Sequence, residues 1–115
     1  MADYQRHEDL AKIPEVLKLA DKEGQAFMAF NHAAERDGGL IPRKYRELIS
    51  IAVALTTQCS YCIDVHTRNA RENGVSKEEL AEVAFVAAAV RAGGTLGHSL
   101  LALRLFEDES SSAST

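Results

Sequence analysis

Two cysteines and a histidine lie at spacings that suit thiol redox chemistry. Cys59 and Cys62 form a Cys-x-x-Cys pair, and His66 follows one helical turn after the second cysteine. On a helix these three positions share one face, so a nucleophile and a base would be neighbours. Cys59 is expected at a helix N-terminus, where unpaired backbone N–H groups and the helix dipole favour a thiolate. The same spacing lets the two sulfurs close a small disulfide ring.

A carboxylate upstream is the fourth candidate. Glu47 begins the most apolar turns of its segment and lies on the same helical stripe as Ile51 and Ala54. This pattern predicts that the Glu47 side chain points inward. A carboxylate among apolar residues needs a partner, and His66 on the following helix is the candidate.

The elements that hold these residues are predicted to be helices throughout. Apolar residues recur at helical spacing, and no segment alternates apolar and polar residues cleanly. We therefore predict an all-α bundle of five to six helices. The first helix should kink near Gly24, Gly93-Gly94 should break the last long apolar segment, and Ser76 with Glu79 forms a capping-box pattern. The expected helices cover residues 13–36, 43–57, 59–72, 77–92 and 95–106.

Length and charge restrict the kind of protein. The chain has 115 residues and a net charge of −4, which suits one domain and argues against nucleic acid or an anionic membrane as a partner. We assign residues 1–106 to that domain and residues 107–115, acidic and serine-rich, to a disordered tail. The N-terminal residues lack the apolar region of a signal peptide, and no unbroken apolar run reaches about 18 residues. A cytoplasmic protein is expected.

Two segments are apolar around most of their circumference and predict self-association. They are residues 48–55 and 80–90. A chain this short has few residues with which to cover both segments. An obligate homo-oligomer is therefore expected.

The residues singled out above resemble a known family pattern. A sequence pattern is typical of the alkylhydroperoxidase (AhpD-like) branch of the carboxymuconolactone decarboxylase superfamily. It consists of a Glu, eleven residues, a Cys-x-x-Cys pair, three residues and a His. The chain matches it at Glu47, Cys59, Cys62 and His66, and the resemblance extends over residues 39–99. It implies a trimer or hexamer of helical subunits.

The resemblance also implies an activity, that of a thiol-dependent peroxidase or disulfide reductase. In that branch the second cysteine attacks peroxide and the first resolves the sulfenic acid, so Cys62 would be peroxidatic and Cys59 resolving. His66 would be the base, oriented by Glu47. Electrons would come from an external dithiol, a lipoyl protein or a thioredoxin-like protein. No cofactor or metal is expected, and no Gly-x-Gly-x-x-Gly motif is present for a nicotinamide cofactor.

One position departs from the family pattern. The branch often has a second histidine just before the second cysteine, where this chain has Tyr61. A phenol can donate a hydrogen bond, but it is not a base near neutral pH.

Several alternatives remain open. The Cys-x-x-Cys pair could serve a non-catalytic oligomer that senses redox state or docks a partner. A carboxymuconolactone decarboxylase-type lyase is weaker, because the classical decarboxylases do not depend on such a pair. Zinc could take Cys59, Cys62 and His66 with Glu47 or His98 as ligands, although no second ligand pair follows. The plainest interpretation is an incidental reduced pair beside a surface histidine.

Overall fold

The computed structural model describes residues 4–108. This part of the chain contains no strand, and the prediction of an all-α fold is confirmed. It begins with a short 3₁₀-helix, His7–Lys12. Five α-helices follow: α1 Ile13–Leu19, α2 Asp21–Glu35, α3 Arg43–Thr57, α4 Ser60–Glu72 and α5 Lys77–Glu107.

Helix α3 is the centre of the fold because it packs against both α4 and α5. Its residues Ile51 and Ala54 are each only 2% exposed. Ala70 of α4 and Ala87 of α5 are also buried. Three of these four core side chains are alanines, so the helices can approach closely.

The turns on either side of α4 set its position. Gln58 ends α3 in the left-handed conformation, with φ of 57°, and Cys59 then caps α4. At the other end Gly74 has φ of 83°, a left-handed conformation that glycine adopts without strain. The predicted capping box of α5 is present, since Ser76 and Glu79 exchange side-chain-to-backbone hydrogen bonds of 2.9 and 3.1 Å.

The prediction of one kinked helix over residues 13–36 is wrong. The chain leaves helical geometry at Ala20, with φ of −122° and ψ of 72°, and this break separates α1 from α2. Gly24 is not the kink but a buried contact point, where an added Cβ would overlap the backbone of Leu17. Residues seven apart on a straight helix are about 10 Å apart along its axis. The turn at Ala20 therefore folds α1 back on α2, and Gly24 permits the close approach.

The predicted break at Gly93-Gly94 is also wrong, because α5 continues through both glycines to Glu107. A helix interior accepts glycine at a cost of about 1 kcal/mol per residue, and the Ala- and Leu-rich sequence on both sides supplies strong helix formers. Glu107, which we placed in the tail, is the last residue of α5. The rest of the predicted tail from residue 109 onward lies outside the described residues.

The single chain is far from compact. Its radius of gyration is 19.5 Å, whereas a compact chain of this length has about 13 Å. Its accessible surface is 9275 Å², against about 6200 Å² for a folded monomer of this mass. Helix α5 carries many of the large apolar side chains that are exposed, among them Phe85, Val90, Leu96, Leu100 and Phe106.

Helix α5 is also long and apolar enough to cross a membrane, judged by length and composition alone. Its most apolar 18-residue window has a mean hydropathy of 1.3. The search for unbroken apolar runs in the sequence did not detect this hydropathy, because polar residues interrupt the apolar runs of this helix. Only 6% of this window is buried, and the buried core helix of a soluble protein meets the same criterion. The feature is therefore weak evidence for a membrane.

Candidate redox site

The two cysteines are joined at the start of α4. Cys59 and Cys62 form a disulfide with their Cα atoms 5.3 Å apart. Cys59 is the N-cap residue of α4, and its Sγ accepts a hydrogen bond of 3.2 Å from the backbone N–H of Cys62. After reduction, the same N–H group and the positive end of the helix dipole would stabilise a thiolate at Cys59.

Glu47 and His66 are in direct contact, the arrangement that the sequence analysis expects. Glu47 Oε2 lies 2.8 Å from His66 Nδ1, and the two side chains are 1% and 17% exposed. An ionised carboxylate only accepts hydrogen bonds, so this contact assigns the proton to Nδ1. Nε2 is then the nitrogen that can take a proton. His66 lies one turn after Cys62 on the same face of α4.

Arg43 is a second partner of Glu47 that the sequence analysis missed. Its Nε donates a 2.8 Å hydrogen bond to Glu47 Oε1, and its guanidinium also lies 4.0 Å from Asp37. The bond to Glu47 raises the pKa of Arg43 above its ordinary value. The buried carboxylate thus has a positively charged donor on one oxygen and an imidazole on the other. The i, i+4 spacing of Arg43 and Glu47 in α3 was the signal available in the sequence.

A second carboxylate approaches the other side of the imidazole. Glu35, in the last turn of α2, places Oε1 3.6 Å from His66 Nε2, and its side chain is 25% exposed. No spacing in the sequence links Glu35 to His66, because the contact depends on how α2 packs against α3 and α4.

The N-terminal residues hold both residues between the cysteines. Tyr61 donates a 2.7 Å hydrogen bond to Asp9, and Ser60 donates one to the side chain of Gln5. The bond from Tyr61 lowers the pKa of Asp9, and the same bond raises the pKa of Tyr61. The phenol of Tyr61 therefore donates its hydrogen bond to Asp9.

Farther along α4, His7 joins the same N-terminal segment to the helix. His7 Nδ1 lies 2.8 Å from Asp64, and Arg68 contacts both of these residues. No spacing in the sequence indicates these contacts, because His7 lies 57 residues before Asp64. These contacts fix the 3₁₀-helix against the redox helix.

The alternative interpretation of the site as a zinc site can be compared with the structure. In this disulfide form the sulfurs are bonded to each other and offer no thiolate to zinc. Within residues 4–108 no group of three or more His, Cys, Asp or Glu residues is arranged to hold a metal ion. His98 lies on an exposed part of α5.

Sequence comparison places most of the chain in one family. Residues 22–105 match the Carboxymuconolactone decarboxylase family. A relative from Paracoccus denitrificans, described as uncharacterized protein 4 in the cox locus, is 33% identical over 94% of this chain and 96% of its own length.

Solved structures agree with the sequence match. A carboxymuconolactone decarboxylase family protein from Legionella pneumophila superposes with a TM-score of 0.68 and 28% identity, covering 87% of this chain and 88% of that protein. A protein from Methanobacterium thermoautotrophicum gives a TM-score of 0.69 and 30% identity over 75% of this chain and 96% of its own. The chain therefore belongs to the carboxymuconolactone decarboxylase family.

Proposed function

We propose that this protein is a thiol-dependent peroxidase that cycles Cys59 and Cys62 between a dithiol and a disulfide. The observation that supports this most directly is the contact between buried Glu47 and His66, one helical turn from Cys62. Membership of the family and the disulfide at the N-terminus of α4 support the same activity.

The first step is a proton transfer. Glu47 holds the proton of His66 on Nδ1, so Nε2 takes the proton of the Cys62 thiol and leaves a thiolate. Arg43 Nε donates a hydrogen bond to the other carboxylate oxygen of Glu47, so both oxygens act as acceptors. The burial of Glu47 keeps the imidazole in one orientation.

The second step reduces the peroxide. The Cys62 thiolate attacks one oxygen of R–O–O–H, the O–O bond breaks, and the sulfur becomes a sulfenic acid. The departing alkoxide takes the proton from His66 and leaves as an alcohol. The Cys59 sulfur then attacks Cys62, which forms the disulfide and releases water.

An external dithiol completes the cycle. One of its thiolates attacks the disulfide to give a mixed disulfide, and its second thiol displaces the protein. Two electrons pass from the dithiol to the Cys59–Cys62 pair, which returns to the reduced form. A lipoyl protein or a thioredoxin-like protein is the proposed donor.

The exposed apolar surface supports a homo-oligomer as the working form. The excess surface of roughly 3000 Å² over a folded monomer is larger than the approximately 800 Å² that one partner contributes to a typical interface. Copies of α5 packed together would cover Phe85, Val90 and Leu96. A trimer or hexamer supplies more than one such interface per subunit.

Redox sensing is the second candidate. It is favoured by the N-terminal segment, because both residues inside the Cys-x-x-Cys ring are bonded to Gln5 and Asp9. Opening of the disulfide would change these two hydrogen bonds. A sensor would form the disulfide with peroxide but show no sustained turnover.

Steady-state turnover separates these functions. We would supply hydrogen peroxide or an organic hydroperoxide with dihydrolipoamide or reduced thioredoxin, and follow oxidation of the dithiol. Wild-type protein should turn over, Cys62→Ser should be inactive, and the matched control His32→Ala should retain activity. With peroxide alone and no dithiol, Cys59→Ser should accumulate a sulfenic acid at Cys62, because the resolving thiol is missing. Stoichiometric oxidation without turnover would favour the sensor.

A further inference from the structure

We infer that Glu35 is a second carboxylate of the redox site, a positioning residue that stabilises the protonated imidazole of His66 and thereby favours the Cys62 thiolate. The inference rests on the proposed function, in which His66 takes the thiol proton. Its basis is the 3.6 Å separation between Glu35 Oε1 and His66 Nε2. This distance is long for a direct hydrogen bond and suits an ion pair once the imidazole is charged.

The charges around His66 give Glu35 this role. Glu47 contacts Nδ1, but its negative charge is already balanced by Arg43 at 2.8 Å. Glu35 faces the opposite nitrogen, the one that receives the thiol proton. An imidazolium formed there would meet a balanced carboxylate on one side and Glu35 on the other. An opposite charge at this distance favours the charged form of a titrating group.

The end of α2 is fixed to α3, so the approach of Glu35 does not depend on a loose side chain alone. Arg46 donates hydrogen bonds of 2.6 Å to the carbonyl of Ala34 and 2.8 Å to the carbonyl of Ile41. Ala34 directly precedes Glu35. These bonds hold the last turn of α2 and the following loop against the helix that also carries Glu47.

Other charged groups also influence the charge on His66. Glu47 of α3 contacts His66, Arg43 contacts Glu47, and Asp37 of the preceding loop lies 4.0 Å from Arg43. On α4 itself, Cys62 lies one helical turn before His66. Two titratable side chains of the 3₁₀-helix contact other residues of α4, Asp9 at Tyr61 and His7 at Asp64. Glu35 is the group of α2 that contacts His66.

The test measures thiolate formation without peroxide. The reduced full-length protein is reacted with iodoacetamide from pH 5 to 9, and alkylation at Cys62 is followed by mass spectrometry. Glu35→Gln removes the charge with little change in shape. We expect roughly three- to ten-fold slower alkylation at pH 7 and a pH midpoint about 0.5–1 unit higher. Glu23→Gln, on the same helix and about 18 Å away along its axis, should match the wild type.

The outcomes distinguish a failure of the role of Glu35 from a failure of the proposed peroxidase function. An unchanged pH midpoint in Glu35→Gln, with His66→Ala slowed, would overturn the role of Glu35 and leave the relay intact. An unchanged rate in both variants would overturn the relay as well. A shifted midpoint in a protein that shows no peroxide turnover would support Glu35 and contradict the peroxidase. If Glu35→Gln folds poorly, Glu35→Ala gives the same test, since alanine is favourable in a helix.

Discussion

The carboxylate of Glu47, only 1% exposed, holds Nδ1 of His66 at 2.8 Å. This contact joins α3 to α4 at the point where α4 carries the cysteine pair. A buried carboxylate is costly unless it is paired, and Glu47 is paired on both oxygens. The contact should therefore have a chemical consequence, faster reaction of the Cys62 thiol, and a structural one, a greater free energy of unfolding. The two can be measured separately.

The chemical consequence is tested by Glu47→Gln. The variant should keep the fold, because its shape is conserved, but it should slow iodoacetamide alkylation of Cys62 by about ten-fold or more, in line with general-base contributions of roughly 10²–10⁴. His66→Ala should slow it at least as much. The double variant should lose less than the product of the two single losses, because both residues act on one thiol.

A wild-type alkylation rate for Glu47→Gln across pH 5 to 9 would contradict this prediction. Glu47 would then be a packing residue that stabilises the contact between α3 and α4.

The structural consequence is tested at Arg43. Arg43→Gln removes the charged donor to Glu47 Oε1 and should lower the free energy of unfolding by about 2 kcal/mol, since hydrogen bonds to charged groups contribute about 1.5–3 kcal/mol. Denaturant unfolding measures the loss. Arg104→Gln, near the end of α5, is the control. Equal stability of the two variants would show that Glu47 does not need Arg43.

The close approach of α1 to α2 depends on Gly24. Gly24→Ala places a methyl group against the backbone of Leu17 and should cost about 1–3 kcal/mol, despite the better helix propensity of alanine. Thermal unfolding against Lys22→Ala, an exposed position of the same helix, gives the comparison. A stabilised Gly24→Ala variant would mean that the contact is not maintained in solution.

The N-terminal segment should be released in acid. The hydrogen bond from Tyr61 lowers the pKa of Asp9, so the folded state favours its ionised form. The resulting stabilisation is complete above the ordinary carboxyl pKa of about 4 and is lost as the pH falls through the lowered value. The hydrogen-exchange protection factors of residues 4–12, which compare each amide with its unprotected rate at the same pH, should therefore fall below about pH 4.

Two variants check the origin of that acid release. Asp9→Asn should weaken the attachment already at neutral pH, whereas Glu8→Gln should leave it unchanged. Identical exchange in Asp9→Asn and wild-type protein would rule out the contact with Tyr61 as the anchor.

The exposed face of α5 predicts the assembly state. Size-exclusion chromatography with light scattering should give a trimer or hexamer, and Leu96→Glu should reduce its mass, since it places a charge where apolar contact is expected. A monodisperse wild-type monomer at micromolar concentration would contradict the proposed homo-oligomer.

Local patterns in the sequence were enough to predict part of this structure. The spacing of Cys59, Cys62 and His66 placed them on one helical face, and the apolar stripe of α3 predicted that Glu47 points inward. Glu35 and Asp9 could not be predicted, because they reach the site through packing between elements distant in sequence. Glycine was misleading twice. Its low helix propensity suggested a kink at Gly24 and a break at Gly93-Gly94, but tertiary packing and strong helix-forming neighbours decided the outcome.

Activation of Cys62 toward peroxide by His66 can be measured by single-turnover oxidation. Reduced wild-type protein is mixed with excess hydroperoxide and quenched with acid at increasing times, and mass spectrometry follows the loss of two hydrogens as the Cys59–Cys62 disulfide forms. The rate should be proportional to peroxide concentration, at least ten-fold slower in His66→Ala and unchanged in His32→Ala. Equal rates for His66→Ala and wild-type protein would contradict activation by His66.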